Sequence, residues 1–500
     1  MNERPGLPTK VQGVFFTHQF GLIMPRWSSP APLFYTLLCL AFQTTLSAKD
    51  WQVGPTRTYS SPAAVSNLMA DGDTLSIDAA LYPNHPQVYF GKNNLLIRGI
   101  DGRPRLEAGP ALANNSNGKA LFVIGGNGVT VESIEFALAA VPDHNGAGIR
   151  QEGCDLVVRN CFFIGNEMGI LGGNYTNCTV ILEHNQFYNN GSPANPGYQH
   201  NVYINKIDSL IFRYNLSLNA IAEGHELKSR ARHNFILYNH LANRTTVDSR
   251  TIDLPNGGTA VLVGNIIEQG PSSANSNLVG YGMEGLTNPA PHQLWIAYNT
   301  FINKKNTGNF VQVGAGTEQV FLKNNLLAGA NTSGIIQGSP LVLDTSHNLA
   351  STSLSLFGFL NAATYDYHLS PLAPGIDQGI WLNESIEGQP LQPAFQYSDT
   401  AQWSPRPTAG LPDLGAFEYP GSSATTLLPG EKAPLVWPNP CQDRLYLNSS
   451  DPIIPYQVYD LQGRYRQGGL SQNHQIPMHN LPVGTYIVWL KGAAVKVVVE

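Results

Sequence analysis

Between residues 130 and 350 one short phrase of apolar and polar positions recurs: an apolar pair, a polar residue, an asparagine, then a large apolar residue. It reads VVRNCF at Asn160, LEHNQF at Asn185, FRYNLS at Asn215, LYNHL at Asn239, LVGNII at Asn265, IAYNTF at Asn299 and LKNNLL at Asn325. The steps between these asparagines are 25, 30, 24, 26, 34 and 26 residues. VESIEF, with Ser133 in the asparagine place, reads as an earlier copy and SHNLA at Asn348 as a later one. Each unit holds short alternating runs bounded by Gly, Asn or Asp, with no helical period between them, which predicts strands and turns. A strand-only unit of this length cannot bury its own apolar face, so it must stack on its neighbours. The asparagine then has a physical role, because at an inside corner its amide bonds backbone groups of adjacent turns and tolerates the bend.

Composition narrows the class. The 500 residues carry 29 Lys+Arg and 35 Asp+Glu, so 13% are charged, about half the usual share near 25%. Gly and Pro number 49 and 35, and there are 44 Asn. With 42% hydrophobic residues and a net charge of -6, the chain is not a disordered one. The Gly and Pro content excludes a long coiled coil. A pI near 6.1 argues against a general nucleic-acid partner. The polar surface must therefore be built mainly from amides and hydroxyls.

The two ends carry addresses. Residues 33–42, LFYTLLCLAF, follow Arg26 and precede TTLSA, the layout of a secretory signal peptide cut after Ala48, with Met24 as an alternative start. Ten apolar residues fall short of the roughly 20 a membrane span needs, so no membrane span is expected. Of five cysteines, Cys39 leaves with the signal; Cys154, Cys161, Cys178 and Cys441 remain, and their pairing is open. At the other end, VWPNPCQDRLYL, VYDLQGR and LPVGTYIVWL followed by KVVVE alternate as strands over 436–500, after a Ser/Thr/Gly/Pro-rich linker at 421–435.

Stacked asparagines at this spacing resemble those of right-handed parallel β-helices of the pectate-lyase-like superfamily. DGDTLSIDAALYP and NNLLIRGIDGRPRL resemble the opening of such helices, and SPLAPGIDQGI with PDLGAFEYPG resembles their end. The resemblance implies an all-β chain with the helix over 49–420. The tail, through Pro438-Asn439-Pro440, Tyr459-Asp460-Leu461, Gly463-Arg464 and Leu481-Pro482-Val483-Gly484-Thr485-Tyr486, resembles the C-terminal sorting domain of the type IX secretion system. That implies the type IX secretion machinery of Bacteroidetes-type bacteria as a partner, and a secreted or cell-surface protein.

Candidate chemistry concentrates in three coils that keep register. His200-Asn201-Val202-Tyr203-Ile204, His225-Glu226-Leu227-Lys228-Ser229 and Arg250-Thr251-Ile252-Asp253-Leu254 are each displaced by 25 residues. With Val202, Leu227 and Ile252 inward, alternation places Asn201, Glu226 and Thr251 in one outward row and Tyr203, Lys228 and Asp253 in another. His200, His225 and Arg250 stack at the strand entrance. From His225 to Arg250 the balance is +3, from Lys228, Arg230, Arg232, Arg244 and Arg250 against Glu226 and Asp248. A basic strip on a neutral body suits an anionic ligand, and for an exported β-helix an acidic polysaccharide is the expected substrate. Arg232 and Arg244 are expected as solvated corner residues, and Asn256-Gly257-Gly258 as a turn.

β-Elimination from a uronate needs a cation against the carboxylate, a base for the C5 proton and an acid for the leaving oxygen. GHELKSRARHNFILYNHL and YGMEGLTNPAPHQLWIAYNTF resemble exported β-helix repeat proteins, and Lys228-Ser229 distantly resembles the chondroitinase-B/alginate lyase family. That resemblance implies Lys228 as base. Where the family places its Arg this chain has Leu254-Pro255-Asn256, so Arg250 or Arg230 would have to serve, with His225 beside them. His200, Asn201, Tyr203, Glu226, Asp253 and Glu284 are the expected substrate contacts. A glycoside hydrolase with Glu226 and Asp253 as its carboxylates, an epimerase, and a non-catalytic adhesive surface are the alternatives. No metal is demanded, although Glu226, Asp253 and Glu284 could offer oxygens to calcium. A monomer is expected. The long steps mark insertions near 188–200 and 270–293, expected as loops flanking the site.

Overall fold

The structure, a computed structural model, describes residues 48–332, 334–408, 410–421, 435–448, 454–461, 464–490 and 493–500. The expected signal segment up to Ser47, Cys39 within it, and linker residues 422–434 lie outside the described residues. Among the described residues no helix is long and apolar enough to cross a membrane.

After a first strand, Asp50–Val53, that pairs directly with the second, the strands from Thr74 to Ser351 follow one another in a fixed cycle of three, and strands in corresponding places pair in parallel from coil to coil. Three sheets result, here called A, B and C, with twelve, eleven and ten strands. This is a parallel β-helix. Sequence alternation explains the register: Leu182, Phe212, Ile236, Leu262, Ile296 and Leu322 pair in succession along sheet A and are fully buried. In sheet B, Phe136, Phe163 and Phe187 stack on consecutive coils at 5.1 and 4.9 Å, almost coplanar. Such offset pairs add about 1 kcal/mol each beyond the area they bury.

The asparagine ladder occupies the corner between sheets A and B. Asn185, Asn215, Asn239, Asn265, Asn299, Asn325 and Asn348 form it, each side chain accepting from the coil before and, up to Asn325, donating to the coil after. Asn265 is typical: its Oδ1 accepts from the Asn239 amide N–H and Nδ2, while its Nδ2 donates to Ile236 O and Asn299 Oδ1, all at 2.8–2.9 Å. Asn160 does not belong to this row. Arg159 pairs with Glu183, so Asn160 aligns with His184, and both take positive φ at the bend (53° and 59°). Cys161 holds the ladder place and donates its N–H to Asn185 Oδ1 at 3.0 Å. The phrase VVRNCF is therefore out of phase by one residue. A disulfide joins Cys154 to Cys178 on the next coil, while Cys161 and Cys441 are free and buried.

The parallel strands end at Ser351, short of residue 420. Residues 354–417 instead lie back along the outside of the helix. Phe357, Tyr367, Leu369, Tyr397 and Phe417 cover Leu218, Ala242, Ile266 and Ile302 on the outer side of sheet B. Leu382, Leu391 and Phe395 pack with Tyr214, Tyr238, Val261 and Tyr298 of sheet A and its corner. The outward residues of sheet C around Lys228 belong to neither cluster. The tail, from Leu435, is antiparallel, with a three-stranded and a four-stranded sheet enclosing Leu445, Val458, Ile476, Val488 and Val497.

Candidate functional site

Sheet C contributes strands Val202–Ile204, Leu227–Ser229, Ile252–Leu254 and Asn277–Tyr281 on four consecutive coils. Tyr203 pairs with Lys228, Lys228 with Asp253, Asp253 with Gly280 and Gly280 with Gln312. The second outward row is thus one continuous row. The entrance row runs His200, His225, Arg250 and on to Asn277 and Asn309.

Lys228 lies between two carboxylates. Its Nζ is 3.2 Å from Asp253 Oδ2 and 2.8 Å from Glu284 Oε1. Arg230 follows the same strand and reaches Tyr203 Oη at 3.0 Å, Asn256 Oδ1 at 2.7 Å and Glu284 Oε2 at 2.5 Å. Lys228 is therefore not a cation among cations, as its neighbours in sequence suggest, but a paired one. Asp253, 3% exposed, also has Arg250 Nη1 at 3.5 Å and His225 Nε2 at 3.7 Å. Arg250 lies along the row because Gly280 leaves it room: a Cβ there would come within 2.5 Å of Arg250 Cδ. The Arg250 Nε donates to Asn277 Oδ1 at 2.6 Å, and Asn277 Nδ2 donates to Gln312 Oε1 at 2.7 Å.

Glu284 comes from the loop between Tyr281 and Gln293, within the second of the two expected insertions. Its side chain is 45% exposed. Partial burial alone would raise its carboxyl, but the bonds from Lys228 and Arg230 outweigh that and hold it below the usual carboxylate range. Thr287 and Asn288 of this loop tie down the preceding turn, where Asn256 Nδ2 donates to Thr287 Oγ1 and Asn288 Nδ2 to Gly257 O. The loop at 189–201 is held elsewhere, with Gln199 Nε2 on His144 O and Gly197 N on Ala222 O.

His200 and His225 stack at 4.9 Å and are both buried. The His225 amide N–H donates to His200 Nδ1 at 3.1 Å, and the His225 Nδ1–H faces Arg250 O at 2.9 Å. Burial, reinforced by neighbouring cations, pushes His200 well below its ordinary value; burial also lowers His225, against the pull of Asp253. Neutral imidazoles in this setting orient their neighbours and offer no open face to a sugar.

The expected outward row of Asn201, Glu226 and Thr251 is not outward; all three are fully buried at the corner between sheets B and C. A second asparagine ladder starts there with Asn166 and Asn190, and the next place falls on Ala220. Asn201 replaces the missing amide, accepting at Oδ1 from Asn190 N and Nδ2. Glu226 Oε1 then accepts the Ala220 N–H at 2.8 Å, and its Oε2 accepts from Asn201 Nδ2 and Ser217 Oγ at 2.5 and 3.0 Å. Burial pushes the Glu226 carboxyl up to about 7, against the lowering by these bonds. Asp248, equally buried, is pushed up by burial and by Glu226. Glu226, Asp253 and Glu284 therefore do not converge, and among the described residues no cluster of three acidic, His or Cys side chains forms a metal cage.

The +3 balance of 225–250 is also divided between faces. Arg244 is not a solvated corner: it stacks on Tyr365 at 3.6 Å, beside the buried Glu268, which Lys304 and Tyr367 contact at 2.6 and 2.7 Å. Only Lys228, Arg230 and Arg250 join the sheet C group. Asn256, Asn277, Gly280 and Gln312 shape the site and were not legible as its members. The one sequence signal for Asn277 is the continued step, 27 residues after Arg250.

Among solved structures, the chain is similar to one described as the crystal structure of pectate lyase Pel9A, at 15% identity and TM-score 0.48, covering 74% of this chain and 96% of that one. No curated protein matches the chain. Residues 435–500 match the family described as the secretion system C-terminal sorting domain. The chain thus ends in a sorting domain that directs export through the type IX secretion machinery to the cell surface or the extracellular space.

Proposed function

We propose that this exported β-helix protein acts on a uronic-acid-containing polysaccharide bound along the open face of sheet C. One observation carries the reading: Lys228 and Arg230 stand side by side on the face of sheet C that residues 354–417 leave bare, and together grip a single carboxylate. In a chain with few charges, a paired cation site of this geometry selects carboxylates over neutral sugars. Tyr203 and Asn256 already orient Arg230, so the site is preorganised.

The reaction proposed is β-elimination. Arg230 would neutralise the uronate carboxylate and Lys228, in its neutral form and still beside Asp253, would take the C5 proton; the electron pair left at C5 would form the C4–C5 double bond as the C4–O4 bond breaks, and Lys228 would return the proton to the departing oxygen. Arg250 and Asp253 set the electrostatics of that lysine from the next coil. The test is turnover of a panel of acidic polysaccharides, read by ultraviolet absorbance and by reducing ends. Unsaturated products that disappear in Lys228→Met, with circular dichroism unchanged, are the expected result. Saturated ends alone would overturn the elimination chemistry.

A second reading, glycan binding without cleavage, is favoured by the double pairing of Lys228, whose Nζ is already engaged by Asp253 and Glu284. It predicts binding to the same polysaccharides with no product of either kind. The hydrolase alternative loses its acid pair, because Glu226 is enclosed at a corner and reaches no solvent.

A further inference from the structure

We propose that Lys228 and Arg230 form a subsite for one sugar carboxylate, and that the loop residue Glu284 fills this subsite in the resting protein as an internal stand-in for the ligand. The inference rests on the polysaccharide reading above and adds its recognition chemistry and its control.

The geometry is that of a bound carboxylate. Glu284 divides its two oxygens between two cations, Oε1 to Lys228 Nζ at 2.8 Å and Oε2 to Arg230 Nη2 at 2.5 Å. A uronate carboxylate presents the same two oxygens and the same charge. Glu284 is also the outermost member, 45% exposed against 12% for Lys228 and 18% for Arg230. It can leave without uncovering the core, whereas the cations cannot. Arg230 keeps Tyr203 and Asn256 as partners, and Lys228 keeps Asp253, so both stay in place when Glu284 withdraws.

The loop holds Glu284 at a tight, anchored turn, from which only its side chain has to move. Gly282 and Gly285 flank Glu284 with φ of 69° and 98°, a region that favours glycine. Beyond them Leu286 packs against the core, and Asn288 Nδ2 donates to Gly257 O at 2.8 Å and Ala231 O at 3.0 Å. The backbone of the tip is held as well, with Gly282 N–H on Leu254 O at 2.8 Å and Glu284 N–H on Pro255 O at 3.0 Å, so the withdrawal is a rotation of the Glu284 side chain alone. The electrostatic balance agrees. Lys228, Arg230 and Arg250 face Asp253 and Glu284, so withdrawal of Glu284 enlarges an existing excess of cations, which an arriving uronate brings back to its resting value.

An internal competitor lowers apparent affinity by the fraction of molecules in which the subsite is open. If that fraction is about one tenth, removing the competitor tightens binding about tenfold. The experiment is calorimetric titration of the full chain with oligogalacturonate, oligomannuronate and chondroitin oligosaccharides, and with the methyl ester of whichever binds. It is run on the wild type, Glu284→Ala and Lys228→Met. The expected result is about tenfold tighter binding by Glu284→Ala, no such gain with the methyl ester, and loss of binding in Lys228→Met. Glu284→Ala binding equally or more weakly, while the wild type binds and Lys228→Met does not, overturns the stand-in and leaves the polysaccharide reading in place. No binding by the wild type and none by Glu284→Ala overturns both.

Discussion

The two inside corners of the helix meet the same demand in different ways. At the corner between sheets A and B, seven asparagines in successive coils satisfy each other, and every group in the row is neutral. At the corner between B and C the row breaks at Ala220, and Asn201 and the carboxyl of Glu226 complete it. The difference teaches that a stacked row needs an acceptor at each step, not a particular residue. An amide supplies it without regard to pH. A carboxyl supplies it with a proton equilibrium attached, and does so directly behind the strand that carries Lys228.

Breaking the amide row should cost most. Asn265→Ala leaves the buried Ile236 carbonyl and Asn239 N–H without their partners, so a loss of about 3–4 kcal/mol is expected in denaturant unfolding.

The carboxyl corner should show its chemistry as a pH dependence. The folded-state value of Glu226, about 7, lies above its ordinary 4.5, so the native state binds the extra proton between those values. Stability is therefore greatest below about pH 4.5 for this group, falls as pH rises toward 7, and levels off above it. The full change is about 3 kcal/mol. Asp248 shifts in the same direction. Glu226→Gln, which carries no such proton, should flatten most of the slope; thermal melts from pH 4.5 to 8 read this directly. A slope unchanged by the substitution would mean that the two corners do not differ in this way.

The smallest effect is expected at Asn160, which sits beside the row. Its exposed side chain accepts from Arg103 and donates to Ser133, and its φ of 53° is the demand that matters. Asn160→Ala should cost about 1 kcal/mol through that backbone conformation, well below Asn265→Ala. Equal losses at the two positions would return Asn160 to the ladder.

Much of the fold was legible because it is periodic. Asn185 through Asn348 announce the coils, and Val202, Leu227 and Ile252 announce one inward row of sheet C. The errors came where a local phase shifts. VVRNCF matches the phrase letter by letter yet places Cys161, not Asn160, at the corner. Likewise Asn201, Glu226 and Thr251 alternate correctly on paper but precede the strands, where the chain is still turning. Alternation predicts sides only inside a strand. The site divides in the same manner: the row Tyr203, Lys228, Asp253 follows from spacing, whereas Asn256 and Glu284 arrive from turns whose reach no spacing encodes.

By itself the sequence determined the strand repeat, the need to stack, and the sorting tail, since these depend on short-range pattern and on motif. Only the tertiary structure decided which charges meet. It placed 354–417 over sheets A and B and not over sheet C, moved Arg244 beneath that cover, and brought Glu284 across 56 residues to Lys228. Charge acts through distance and burial, and in a coiled chain both are fixed by the turns between strands, where the repeat is least regular.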